Sequence, residues 1–284
     1  IFGLGKRLEW PDDFFVLYQS ANMVRYSLVN YTGIFPFDEA GNGAYYNLSY
    51  GLTLSRSSTD QPYYPRRGSE ISVGVKLTPP YSLFNKKTAE EYSKMSSNEK
   101  YKWIEYHKWD IRAAWYQQLV GDLVVMVRAR YGFLGAYNTN LGVTPFERFF
   151  LGGDGMSSYS NFDGREIIGF RGYQNETLTP NYYYDDDTGG TIYNKNTVEL
   201  RYPLSLNPSA TIYALLFLET GNSWDKFKNF NPFNLYRSAG VGVRIFMPMF
   251  GLLGLDWGYG FDDVPGIPSA NRSQFHFSIN GSID

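Results

Sequence analysis

Arg171 stands between Phe170 and Gly172, with Tyr173 following, inside "IIGFRGYQNETL". Two carboxylates lie downstream in alternating segments, Glu199 in "NTVELRY" and Glu219 in "LLFLETG". A guanidinium presents a planar fork of N–H donors that matches carboxylate oxygens. The chemistry these types offer is a charge-assisted clamp, not bond making. In the segment bearing Glu199, Val198 and Leu200 face one way, and Thr197, Glu199 and Arg201 the other. If Ile212, Leu216 and Leu218 face an apolar phase, Glu219 shares the polar side with Glu199. Arg171 then pins its loop to both acids. An exposed loop arginine beside two solvated acids is the competing reading of these residues alone.

Other chemistry is poorly represented. The chain has no Cys, so no thiolate or disulfide. His107 and His276 are the only histidines, and both fall in strand-like stretches, which leaves no credible hydrolytic triad or His-based metal site. "YYYDDDTGG" (Asp185, Asp186, Asp187) lacks the ligand spacing of a calcium loop and reads as a solvated acidic tip. "LGGDG", with Gly152, Gly153 and Gly155, has no strand–helix context for phosphate and reads as a turn. No cofactor, metal or covalent reaction is expected. A net charge of −2 gives no footprint for nucleic acid.

The elements that must position the arginine are strands of period two. Ile71, Val73, Val75 and Leu77 oppose Glu70, Ser72, Gly74 and Lys76; Leu253, Leu255, Trp257, Tyr259 and Phe261 oppose Gly254, Asp256, Gly258 and Gly260. Eleven strands are expected, at about 1–9, 14–31, 43–56, 68–78, 104–118, 122–136, 191–203, 210–220, 236–247, 251–261 and 272–283. The 14–31 stretch is less regular, and a bulge is expected there. The polar faces carry glycines and charges at mid-strand, as a crowded wet lumen requires. Connections alternate short and long, with the longest at 137–190. That loop holds Phe149, Phe150, Leu151, Phe162, Ile167, Ile168 and Phe170, too apolar for simple disorder. "PYYPRRGSE", with Pro65, Arg66, Arg67 and Gly68, reads as a structural turn on the short-loop side. The fold class is therefore all-β, a transmembrane antiparallel barrel rather than a soluble sandwich. Mean hydropathy of −0.36 does not oppose this, since a membrane strand shows lipid only alternate side chains.

Eleven is an odd count, and an open sheet in lipid leaves backbone groups unpaired at its edges. Either a strand escapes the count or strands precede Ile1, whose segment is already strand-like. The start thus reads as a truncation or processing point.

"FERFFLGGDGM…DGREIIGFRGYQNETLTP", "NTVELRYPLSLNPSATIYALLFLETGNSW" and "RSAGVGVRIFMPMFGLLGLDWGYGFD" resemble the BamA family, the barrel subunits of the outer-membrane β-barrel assembly machinery. The likeness covers essentially the whole chain and is strongest from Pro145 to Phe277. It implies a sixteen-stranded barrel of which residues 1–284 supply strands six to sixteen, with five strands and periplasmic POTRA domains upstream. It implies that Phe170, Arg171, Gly172 and Tyr173 are the signature of a lumen-inserted sixth extracellular loop at 137–190. Glu199 and Glu219 match the acids against which the signature arginine docks. Gly240, Gly242, Gly254 and Gly258 leave room on the polar face for the inserted loop. It further implies a gate at the last strand, with Phe275, Phe277, Ile279, Gly281 and Ile283 on one face. Family members usually end on an aromatic, and here Ile283 and Asp284 stand instead.

The implied activity is folding and insertion of client outer-membrane proteins, with no catalysis. The implied partners are outer-membrane lipids, client proteins and accessory periplasmic or lipoprotein subunits, in the bacterial outer membrane. A related POTRA-barrel transporter (two-partner secretion or TamA-like) and a passive porin-like channel remain the alternatives.

Overall fold

The computed structural model describes residues 1–30, 42–85, 87–156, 164–181, 189–207 and 209–279. Asp185, Asp186, Asp187, Phe162, Gly281, Ile283 and Asp284 lie outside them.

Eleven strands form one antiparallel sheet in chain order: β1 (Phe2–Arg7), β2 (Phe15–Leu28), β3 (Gly43–Ser57), β4 (Arg67–Leu77), β5 (His107–Gln118), β6 (Val124–Gly135), β9 (Ile192–Asn207), β10 (Ala210–Trp224), β11 (Tyr236–Met247), β12 (Gly251–Gly260) and β13 (Arg272–Ile279). Two short strands, β7 (Phe149–Leu151) and β8 (Glu166–Ile168), pair in parallel inside the long loop. Each neighbour in the large sheet follows directly in sequence except across that loop, where β6 pairs with β9.

Alternation sets which side each residue takes. Leu48, Ile71, Trp109, Val127, Leu200, Leu216, Leu218, Leu255 and Phe275 are exposed on one face. Their neighbours on the other face are polar and buried, among them Asn47, Lys108, Arg130, Glu199, Arg244 and Asp256. A surface that is continuously apolar outside and polar inside suits hydrocarbon outside and a polar lumen within. No described helix is long and apolar enough to cross a membrane.

Three local features differ from the sequence reading. The bulge expected in 14–31 is absent: β2 pairs with β3 without interruption from Phe15↔Arg56 to Leu28↔Gly43. The irregularity falls between β9 and β10, where Ile212 pairs with Ser205 but Tyr213 with Pro203. Pro203 has no N–H to give the ladder, so a register shift there costs little. The 79–102 connection, expected as plain loop, carries three short helices, α1 (Tyr81–Asn85), α2 (Ala89–Lys94) and α3 (Ser97–Lys100). Thr88 and Glu91 close a capping box on α2, a pattern legible in the sequence.

The turn at 58–66 does more than join β3 to β4. It crosses the short-turn end of the lumen. Tyr64 is buried among Val124, Tyr213, Leu215 and Phe217, and its hydroxyl donates to the carbonyls of Asp122 at 2.9 Å and Arg201 at 3.1 Å. Tyr63 stacks on Phe246 with ring centroids 3.5 Å apart. The turn forms a floor beneath the lumen, and the long loop closes the lumen from the other end.

Candidate functional site: the loop docked in the lumen

The long loop enters the barrel through its own apolar content. Phe146, Phe149, Leu151, Ile168, Phe170 and Tyr173 are buried in one cluster with wall residues Tyr45, Tyr106, Leu134 and Tyr193. Burying an aromatic or aliphatic side chain of this size contributes about 1.5–3 kcal/mol, so this cluster provides the main drive for docking. Backbone hydrogen bonds within the loop then fix its own shape. Phe149 and Gly190 exchange backbone hydrogen bonds at 2.9 and 2.8 Å, and Phe170 and Gly153 do so at 2.8 and 3.1 Å.

Arg171 is fully buried at the centre of the inserted segment. Its Nη2 donates to Glu199 Oε1 at 2.8 Å and to Glu219 Oε1 at 2.7 Å, and its Nε donates to Glu219 Oε1 at 3.0 Å. Nη1 donates to Asp256 Oδ1 at 3.2 Å. The backbone N–H of Arg171 donates to Glu219 Oε2 at 2.9 Å. The guanidinium lies 3.6 Å from the ring centroid of Phe217, close enough for a cation–π contact. One side chain thereby joins three strands, β9, β10 and β12.

The acids have wall partners too. Arg201 binds Glu199 Oε2 through Nη2 at 2.7 Å, Lys195 binds Glu219 Oε1 at 3.2 Å, and Arg244 Nη1 donates to Asp256 Oδ1 at 3.0 Å. Three wall cations face three wall acids before the arginine arrives. The socket is therefore neutral when empty and rich in oriented oxygens, an arrangement that limits the cost of burying it.

Gly172 requires its identity. It sits at φ +85°, and a Cβ there would come within 2.8 Å of Gly260 N and Tyr259 C. The loop backbone lies directly on β12 because Gly258 and Gly260 have no side chains: a Cβ on Gly258 would meet Gly172 N at 2.7 Å. The other expected glycines make room differently. Gly240 accommodates the Phe217 ring, Gly242 the Asp256 carboxylate, and Gly254 the side chains of Ser278 and Arg244. They shape the socket rather than touch the loop. Tyr173 reaches past β11 and β12, donating to Arg237 O at 3.0 Å and accepting from Asp262 N at 3.2 Å.

The loop also touches the last strand. Gly172 N–H donates to His276 Nε2 at 2.9 Å, and just before the strand Ala270 O accepts from Gln174 N–H at 2.8 Å. On the opposite face of β13, Phe275, Phe277 and Ile279 are exposed. β13 pairs with β12 alone, and its second edge has no partner among the described residues.

Sequence reasoning placed Arg171, Glu199 and Glu219 together and missed Asp256, Lys195, Arg201, Arg244, Phe217 and His276. Asp256 and His276 were on the correct face by alternation, but nothing in the order of residues says which strands meet across the lumen. Glu147 was missed as well, although it stands in the "FERFF" run. It is held by Lys76, Lys108, Asn47 and Tyr106 on the far wall.

Residues 14–283 match the Omp85 superfamily domain. The chain is similar in fold to the crystal structure of BamA from Haemophilus ducreyi lacking POTRA domains 1–3, with a TM-score of 0.63 over 97% of this chain at 16% identity. It spans 52% of that structure's chain. No curated protein matches it. With an all-β lumen-and-lipid sheet, a loop docked inside, and a family match across nearly its whole length, the chain belongs to the Omp85 superfamily of outer-membrane β-barrel proteins.

Proposed function

We propose that this chain is the C-terminal part of the barrel of an outer-membrane protein assembly factor, which folds client β-barrel proteins and inserts them into the bacterial outer membrane. The observation that carries the reading is the likeness to a BamA barrel over 97% of this chain, within an Omp85 superfamily match at 14–283; the apolar outer face of β13, the last strand, is where the reading places client entry. A strand edge is a template for adding another strand, and main-chain hydrogen bonds supply the affinity. A client strand crossing hydrocarbon cannot remain unpaired, so an edge at membrane depth lowers the barrier to its entry. The reading assigns no covalent chemistry and no cofactor. Its partners are membrane lipid, client barrels, and periplasmic or lipoprotein accessory subunits. A lumen filled from one end by the loop and from the other by the 58–66 turn disfavours a passive open channel.

The test uses the complete protein. A cysteine at Ile279 is paired with one on the barrel's first strand. Oxidation should stop client insertion and reduction should restore it. Insertion at an undiminished rate by the crosslinked protein refutes the edge mechanism. Export of a soluble substrate, with no insertion of clients, assigns the chain to the transporters of the superfamily instead.

A further inference from the structure

The long loop is anchored on two walls by side chains of opposite sign. Arg171 faces the acids of β9, β10 and β12. Across the lumen, β4 and β5 present Lys76 and Lys108, and there the loop offers carboxylates instead. Glu147 Oε1 accepts from Lys76 Nζ at 2.9 Å, from Asn47 Nδ2 at 2.9 Å and from Tyr106 Oη at 3.2 Å. Its Oε2 accepts from Lys108 Nζ at 3.1 Å. The same ammonium donates to the Glu147 carbonyl at 2.8 Å and lies 2.6 Å from Glu166 Oε2.

We propose that Asn47, Lys76, Tyr106 and Lys108 form a carboxylate-binding cage in the barrel wall, that Glu147 is its resident ligand, and that this is a second anchor holding the loop across the lumen. The inference goes beyond the assembly reading and holds whatever cargo the barrel handles.

Four observations carry it. The donors come from three separate elements of the wall, with Asn47 on β3, Lys76 on β4, Lys108 on β5 and Tyr106 just before β5. None of them touches the Arg171 socket. The charges balance locally, two lysines against Glu147 and Glu166, so removing Glu147 leaves a buried ammonium under-compensated. Glu147 itself is held at φ +65°, a conformation that a side-chain-bearing residue adopts at a cost of order 1–3 kcal/mol. The chain accepts that conformation where it delivers the carboxylate to the cage, and Glu147 N–H bonds Gly164 O at 2.8 Å behind it.

A polar cavity of about 380 Å³ adjoins the cage, lined in part by Lys76, Lys108, Asp110, Arg112 and Glu166. It gives a small anion a route in. If the cage recognises a carboxylate as such, Glu147→Ala leaves a vacancy that acetate fills.

The experiment measures hydrogen exchange of the complete protein in lipid nanodiscs, segment by segment. Glu147→Ala should raise exchange in 145–151 at least tenfold, while 170–178 changes by a smaller factor. Acetate at tens of millimolar should reverse the change, and chloride at equal ionic strength should not. Arg171→Ala should show the opposite segment pattern. Glu147→Gln and Lys76→Met serve if the alanine variant fails to give a heat-modifiable band, and both should loosen 145–151 without loss of that band. Unchanged exchange at 145–151 in these variants overturns the anchor. Loosening that acetate repairs no better than chloride overturns the carboxylate cage. Because the readout is docking itself, client insertion can fail or succeed independently of it.

Discussion

Arg171→Lys separates the geometry of the clamp from its charge. The native side chain donates from Nε, Nη1 and Nη2 to three carboxylates on three strands. Lysine keeps the charge but concentrates it in one ammonium, which cannot span Glu199 and Asp256 as the fork does. Removing one partner of a buried ion pair costs about 3–5 kcal/mol when the survivor is left uncompensated. Here Lys195, Arg201 and Arg244 remain opposite the three acids, and the backbone N–H at 171 still reaches Glu219. The acids stay compensated, so Arg171→Ala falls below that range, about 2–3 kcal/mol for the charged hydrogen bonds it removes, or roughly thirty- to a hundredfold in the docking equilibrium. Arg171→Lys retains one good contact and loses at least one charged hydrogen bond, about 1.5 kcal/mol or roughly tenfold. Hydrogen exchange over 170–178 in the complete protein reads both values directly. Lysine indistinguishable from arginine would mean that charge alone holds the loop. An alanine effect below about threefold would mean that the clamp behaves as a solvated surface pair, and the reasoning from burial fails.

Three further outcomes are expected. Gly172→Ala should undock the loop tip, because its φ of +85° costs a side-chain-bearing residue about 1–3 kcal/mol and its Cβ would press on β12 backbone; exchange at 170–178 reports it, and the 58–66 floor should be unaffected. Tyr64→Phe keeps the ring packing but loses both carbonyl contacts, so the temperature of the heat-modifiable transition should fall by an amount matching about 1 kcal/mol. Burial raises the Glu147 carboxyl and the Lys108 and Lys76 charges outweigh that effect, holding it at about 2 against an ordinary 4.5. Its contribution to docking is thus complete above about pH 4.5 and is lost as pH falls towards 2; a spin label at Asp154→Cys should show constant loop mobility from neutral pH down to about 5 and rising mobility below it.

Much of the wall was legible because alternation carries it. The period of two fixed which side Leu216, Leu218 and Glu219 take and put Glu199 and Glu219 on one face; the resemblance to the family then joined them to Arg171. The loop's destination was legible from its apolar content and from the Arg171 motif. What escaped was everything set by contact between distant segments. Tyr63 and Tyr64 lie in a turn whose residues announce a turn, while the burial of Tyr64 against Val124 and Tyr213 and the stacking of Tyr63 on Phe246 depend on the lumen being narrow enough to cross. Glu147 reads as one more surface acid until Lys76 and Lys108 are seen on the wall it meets. The bulge was misplaced because the irregular pattern of 14–31 outweighed the proline at 203, whose missing N–H was the better guide.

The glycines of β11 and β12 bear on whether the loop is cargo or structure. Gly240 and Gly242 on β11, and Gly254, Gly258 and Gly260 on β12, all lie on strands lining one wall. A wall so poor in lumenal side chains has little of its own to pack against. Gly258 and Gly260 have backbone of the loop as their nearest neighbour, and Phe217 occupies the space at Gly240 while supporting the Arg171 guanidinium. Interiors tolerate few voids, since the lining of an empty space loses its dispersion contacts. The loop therefore completes the core of this wall. Its tip also accepts registration from β13 through His276, and from Ala270 just before that strand. Coupling of this kind is reciprocal: whatever the docked tip contributes to the position of β13, displacement of β13 withdraws from the tip. On the proposed reading of β13 as an edge, the edge and the loop report on each other.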